Sequence, residues 1–287
     1  MKITDVVLET FSWPLARPIS NAAITLSRGG MTLVSIKTDA GITGIGNGYA
    51  KPVIRTAIEQ FRPILLGEDP LDVERIWHKM YSPKAVGRRG LTTQAISAID
   101  IALWDLRGKV AGMPAYKLLG GFRNRVPAYI AGGYYSSEKS AKHLQLEMES
   151  YIARGANAVK MKVGGLTIPE DVARVRAVRE AIGSEPKLMV DANCGYRAFE
   201  AIQFAKRIEE FDIFWFEEPV GADDYEGMRR VAEMSPIPVA AGENEYTKYG
   251  FRDLIACKGV SIVTPDAKIC GGVTEFMKIA ALTQAHD

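Results

Sequence analysis

The sequence predicts an α+β N-terminal domain followed by an α/β domain of the (β/α) barrel type, on three observations. Alternating strands and then amphipathic helices fill residues 1–125. Across residues 126–287, short apolar strands alternate with longer amphipathic helices in six successive β/α units. A polar residue stands at or just past the end of five of those strands, at spacings close to one unit. With 287 residues and 47% hydrophobic content, the chain can fill the core of one large domain or two ordinary ones.

Lys2 to Phe11 and Thr32 to Asp39 read as strands, and Gly41-Ile-Thr-Gly-Ile-Gly-Asn-Gly reads as a turn leading into a third. Asp72 to Tyr81 and Thr92 to Val110 carry apolar positions at helical spacing. Gly112, Pro114, Gly120 and Gly121 break that pattern, which places a boundary near Arg123 to Val126. The strands that follow are Val126–Ile130, Ala158–Val163, Lys187–Asp191, Phe214–Glu217, Val239–Gly242 and Ser261–Pro265. Strands separated by helices pair in parallel, because a parallel connection needs a long crossover.

Thirty-six basic against 34 acidic residues leave a formal charge of +2, with no Lys/Arg run dense enough for nucleic acid or a polybasic membrane surface. Met1 to Ile19 alternates apolar and polar residues and holds Pro14 and Pro18, unlike a signal peptide, and no later stretch reaches membrane-spanning length. Cys194, Cys257 and Cys270 are odd in number and widely spaced, which fits reduced thiols. A cytoplasmic protein with a small-molecule partner is the expectation.

The strand-end residues are Lys162, Asp191, Glu217, Glu243 and Asp266, at spacings of 29, 26, 26 and 23. The strand ends of a barrel converge on one mouth, whereas those of an open sheet lie along a line. One acid at a strand end is ordinarily a helix N-cap or a surface charge. Three in register, after Leu188-Met-Val, Phe214-Trp-Phe and Val239-Ala-Ala, form a set that would repel itself without a cation. Hard oxygen donors with no His or Cys beside them suit Mg²⁺ first, and Mn²⁺ as the alternative, over Zn²⁺.

Val159-Lys-Met-Lys-Val-Gly-Gly, Met189-Val-Asp-Ala-Asn, Trp215-Phe-Glu-Glu-Pro, Ala241-Gly-Glu-Asn and Thr264-Pro-Asp-Ala-Lys-Ile-Cys-Gly-Gly, in that order, resemble the enolase superfamily in its mandelate racemase group. Ala95-Ile-Ser-Ala-Ile-Asp-Ile-Ala-Leu-Trp-Asp-Leu is similar to that family's helix joining a capping domain to the barrel. The resemblance implies an α+β capping domain over a modified (β/α) barrel. It makes Asp191, Glu217 and Glu243 the metal ligands, Lys162 a base on one face of the substrate and Lys160 its electrostatic neighbour. Asn193 becomes a substrate contact or a support of the ligands. Glu218 is the neighbour of a ligand, since period-two alternation points it away from Glu217. Asp266 is the carboxylate that orients a histidine from the following strand, and Lys268, at the wrong offset from the glycine pair, is structural. Capping loops at Pro18–Gly30 and Gly46–Pro52 offer Ser20, Asn21 and Tyr49 to substrate. Gly87-Arg-Arg-Gly90 is either a carboxylate clamp or a solvated turn.

Removing a proton α to a carboxylate leaves an enediolate, so a dication and nearby ammonium groups stabilise charge where it develops. Lys160, two residues from Lys162 on one face of a strand, disfavours its protonation and helps it act as a base; salt bridges to the carboxylates are the alternative role for the pair. His78, His143 and His286 all fall outside the expected strand-seven position. Strands seven and eight and the C-terminal return are absent, so the barrel reads as truncated after its sixth unit, with two apolar edges exposed. That makes the sequence a fragment, or one whose barrel is closed by a partner chain. The activity expected is Mg²⁺-dependent dehydration of an acid sugar by a homo-oligomer. Racemisation or epimerisation of a 2-hydroxy acid, and a catalytically silent metal binder, are the alternatives.

Overall fold

The computed structural model describes residues 1–136 and 140–286. The N-terminal part opens with an antiparallel meander of β1 (Ile3–Ser20), β2 (Thr25–Thr38) and β3 (Thr43–Tyr49). Period-two burial places Val6, Val34 and Ile36 in the core, against α1 (Pro52–Leu65), α2 (Val73–Met80) and α4 (Leu91–Ala111). The short helices α3 (Pro83–Val86) and α5 (Ala115–Leu118) complete this part.

Two expectations need correction here. The first strand does not stop at Phe11: β1 and β2 run on as an exposed hairpin arm, with Trp13 opposite Gly29 and Ser20 opposite Thr25, so the loop shrinks to residues 21–24. An arm that pairs with itself buries little, and the burial signature of a strand is therefore missing from its sequence. The glycine-rich stretch turns only at Gly41 and Ile42; from Thr43 onward it is β3 itself. A Cβ on Gly44 or Gly46 would lie 2.2 Å from the carbonyl oxygen of Ala102 or Ala98, so these glycines let α4 pack directly on the strand backbone.

The C-terminal part is a six-stranded parallel sheet in the strict order β4 (Ile130–Gly132), β5 (Ala158–Lys162), β6 (Lys187–Asp191), β7 (Ile213–Glu217), β8 (Val239–Ala241) and β9 (Ile262–Val263). The helices are α6 (Ala141–Ala153), α7 (Ile168–Ile182), α8 (Ala198–Arg207), α9 (Tyr225–Met234), α10 (Thr247–Ala256) and α11 (Gly272–Gln284). The order runs without reversal, so the sheet lacks the switch point at which a doubly wound sheet changes direction. Among the described residues, β4 and β9 are its edges. The first strand lies a few residues later than expected, because Pro127 cannot donate to a ladder and Val126 is 75% exposed. No helix among the described residues is long and apolar enough to cross a membrane.

The two parts meet along α4. Asp100, fully buried, accepts from the Thr274 N–H (2.9 Å) and its hydroxyl (2.6 Å), so a side chain from α4 caps the start of α11. Ser97 accepts from the Gly271 N–H, and Trp104 donates to the Thr274 hydroxyl.

Candidate active site

Parallel register sets Lys162, Asp191 and Glu217 side by side at the ends of β5, β6 and β7, and Glu243 reaches in from just beyond β8. One oxygen from each of Asp191, Glu217 and Glu243 lies within 4.8 Å of the others. Asp191 and Glu217 are buried and Glu243 is half-buried. Lys160 Nζ stands 2.6 Å from Glu217 and 3.2 Å from Asp191, while Lys162 Nζ stands 2.6 Å from Asp191. The Lys160 and Lys162 ammoniums lie 5.3 Å from the ring centroids of Tyr129 and Tyr134.

Burial raises the proton affinity of Glu217; Lys160 opposes that shift, while Asp191 and Glu243 add to it. Burial alone would lower the Lys160 pKa, but Asp191 and Glu217 outweigh it and hold the ammonium above its ordinary range. The carboxylates beside it therefore govern Lys160. Burial, then Glu243, pushes Glu218 up to about 8, and Asn244 donates to both its oxygens at 2.8 and 2.9 Å. Glu218 has a left-handed backbone (φ 42°) and lies outside the carboxylate triad.

A hard divalent cation fits this donor set. Three carboxylates against two ammoniums leave one formal negative charge; a dication reverses it, and a substrate carboxylate then neutralises it. Beside the triad, the buried Asn193 Oδ1 has no partner, although Asn193 Nδ2 donates to Glu243 at 3.1 Å and its N–H donates to Asp191 at 2.9 Å. An unpaired acceptor buried at this point leaves hydrogen-bonding capacity for a bound molecule.

The remaining expected residues divide into those at the site and those used elsewhere. The Tyr49 hydroxyl donates to Asp266 at 2.8 Å, so one residue of the N-terminal domain reaches the strand-end set. The Lys268 N–H donates to the same carboxylate, and its ammonium sits 4.5 Å from the Tyr49 ring centroid, a packing role. Ser20 Oγ pairs with Thr25 Oγ1, and Asn21 Oδ1 accepts from the Ala23 and Ile24 N–H groups, closing its own turn. That turn nonetheless sits beside the site: a Cβ on Gly195 would lie 2.6 Å from Ala22 Cβ. Arg89 pairs with Asp223 and Glu245 and donates to Tyr225, so the double-arginine motif joins the two parts of the chain. His78, His143 and His286 are exposed. Trp215, which donates to Glu217 at 3.0 Å, and Asn244 were missed as individual residues, though both lie within the motifs quoted above.

Comparison with known proteins bears on the same site. The family model for the mandelate racemase / muconate lactonizing enzyme N-terminal domain matches residues 3–120, and the enolase C-terminal domain-like model matches residues 143–287. An arabinonate dehydratase of Saccharolobus solfataricus is 39% identical over 87% of this chain and 68% of its own length. The L-talarate/galactarate dehydratase of Salmonella typhimurium is 36% identical over 99% of this chain and 74% of its own. The crystal structure of a racemase from Streptomyces coelicolor A3(2) with bound magnesium superposes with a TM-score of 0.94 at 36% identity, covering 99% of this chain and 81% of that one.

Proposed function

Because the chain belongs to the mandelate racemase/muconate lactonizing enzyme family of the enolase superfamily, we propose that it is a lyase that dehydrates an acid sugar, an aldonic or aldaric acid, with Mg²⁺ as cofactor. The observation that carries this is the convergence of Asp191, Glu217 and Glu243 with two buried lysines at one point. The similarity to acid-sugar dehydratases supplies the substrate class. We read the parallel sheet as barrel wall, on its sequential order and on this convergence.

Asp191, Glu217 and Glu243 hold the cation, and Mn²⁺ is the alternative ion. When bound, the metal supplies positive charge to the substrate carboxylate as negative charge develops there. Lys162 gives up its proton to solvent as it parts from Asp191 on substrate entry, and the neutral Nζ then takes the α-proton. Lys160 stays charged beside Asp191 and Glu217 and stabilises the enediolate. The hydroxyl on the β-carbon takes up the proton that Lys162 removed and leaves as water, and the enol so formed becomes the 2-keto acid as its hydroxyl proton passes to the β-carbon. Asp266, which accepts from the Tyr49 hydroxyl, is the carboxylate that would orient a histidine on the opposite face of the substrate. Asn193 and Tyr49 contact the substrate, and Ser20 and Asn21 place the hairpin tip that encloses it. The working protein is a cytoplasmic homo-oligomer.

The test is exchange of α-hydrogen for deuterium and loss of water, read by NMR over aldonic, aldaric and aryl-hydroxy acids with Mg²⁺ present. Water lost from at least one acid sugar, with exchange abolished by Lys162→Ala, is the expected result. Exchange without loss of water from any acid marks a racemase or epimerase, and no exchange at all a silent metal binder.

A further inference from the structure

We infer that Arg174, Asp171 and Tyr135 act as positioning residues for Lys162, an inference that rests on Lys162 being the base. Lys162 is the last residue of β5, and the chain leaves the sheet through Gly164, whose φ of 85° is left-handed, and Gly165. The ladder to β6 holds one side of the lysine's backbone. Its carbonyl is held by Arg174, which donates from Nη1 at 2.9 Å, while Nη2 donates to the Gly133 carbonyl at 2.7 Å. One planar guanidinium thus spans the ends of two strands and fixes their separation.

The guanidinium is itself fixed. It stacks 3.9 Å from the centroid of the Tyr135 ring and donates to Asp171 at 3.1 Å. Asp171 is fully buried and also accepts from the Tyr135 hydroxyl (2.6 Å), the Gly164 N–H (2.8 Å) and the Tyr196 hydroxyl (3.3 Å). The Tyr135 hydroxyl accepts from the Gly165 N–H at 2.9 Å. Tyr135 also exchanges two backbone hydrogen bonds with Ser20, at 2.9 and 2.8 Å, so one residue joins the hairpin tip to this brace.

Asp171 and Arg174 neutralise each other, so the brace adds no net charge to the site. What it controls is geometry. A small tilt of the Lys162 backbone is amplified along a four-carbon stem, and Nζ must lie within hydrogen-bond reach of the substrate's α-carbon proton. A displacement of about 1 Å at a reacting group costs roughly 100-fold in rate.

The experiment compares Arg174→Met, Tyr135→Phe and Arg176→Met, an exposed neighbour of the brace that pairs with Glu210. For each, kcat, KM and the kinetic isotope effect with α-deuterated galactarate, L-talarate and arabinonate are measured, together with Mg²⁺ affinity by calorimetry. Arg174→Met is expected to lower kcat roughly 100-fold, with a larger isotope effect because proton transfer becomes slower, at unchanged KM and Mg²⁺ affinity. Tyr135→Phe keeps the ring and the Ser20 bridge and loses about tenfold; it carries the test if Arg174→Met does not fold. Arg176→Met behaves as the natural protein. Unchanged kcat and isotope effect in a folded Arg174→Met or Tyr135→Phe protein overturn the inference. If the natural protein exchanges no α-hydrogen, the dehydratase reading fails separately. A crystal structure of the folded variant then decides: Lys162 Nζ still 2.6 Å from Asp191 overturns the positioning role, and a displaced Nζ supports it.

Discussion

Asp100→Asn at the junction of the two domains should invert its effect on stability with pH. Asp100 is fully buried, and burial pushes its carboxyl from an ordinary 3.8 up to about 7, against the lowering effect of the Thr274 and Val273 donors. The unfolded chain releases this proton near pH 3.8, whereas the folded protein keeps it until about pH 7. Between those values the folded state binds more protons, so stability falls as pH rises, and above pH 7 the full penalty remains. At about 1.4 kcal/mol per tenfold difference in proton affinity, the wild type loses about 4 kcal/mol across that window through Asp100. The amide does not ionise, but it replaces one acceptor facing Thr274 and costs about 1–3 kcal/mol at every pH. Asp100→Asn should therefore be less stable than wild type at pH 4.5 and equal or more stable at pH 8. Urea unfolding of both proteins at pH 4.5, 6 and 8 reads this directly. Glu218, whose pKa is also raised, shares the sign of the trend but cancels in the difference between the two proteins. Parallel stability curves for the two proteins would refute the reasoning, because they would mean that Asp100 is ionised throughout.

Glu217→Gln removes one charge from the carboxylate triad and takes from Lys160 the partner 2.6 Å away. Wild type should gain about 2.7 kcal/mol of stability at a Mg²⁺ concentration of 100 times its Kd. The variant should gain much less at the same concentration, and equal shifts in thermal unfolding would count against the triad as the metal site. Gly195→Ala puts a Cβ 2.6 Å from Ala22 Cβ and 2.9 Å from the Ala192 carbonyl oxygen, so the tip at residues 21–24 must lift. The expected cost is about 1–3 kcal/mol in stability, with KM raised more than kcat is lowered; steady-state kinetics with unchanged KM would show that the tip does not enclose substrate.

The sequence by itself determined what local pattern can express. Apolar strands followed by amphipathic helices, and a polar residue at the end of one strand after another, set the parallel topology and named Lys162, Asp191, Glu217, Glu243 and Asp266, to which the family resemblance added Lys160. These features survive because side-chain period and strand-end position depend only on near neighbours in the chain. Tertiary structure alone decided the rest. The hairpin arm is held by pairing across its own two strands, and the glycines of β3 are explained by the backbone of α4, more than 50 residues away. Tyr49 meets Asp266 across a sequence separation of 217, and Asp100 caps α11 across 174. Arg174 braces Lys162 from the next helix, where nothing in its spacing marks it off from Arg176 or Arg179. Contacts of this kind depend on how the two domains pack, and no short-range periodicity records which partners that packing brings together.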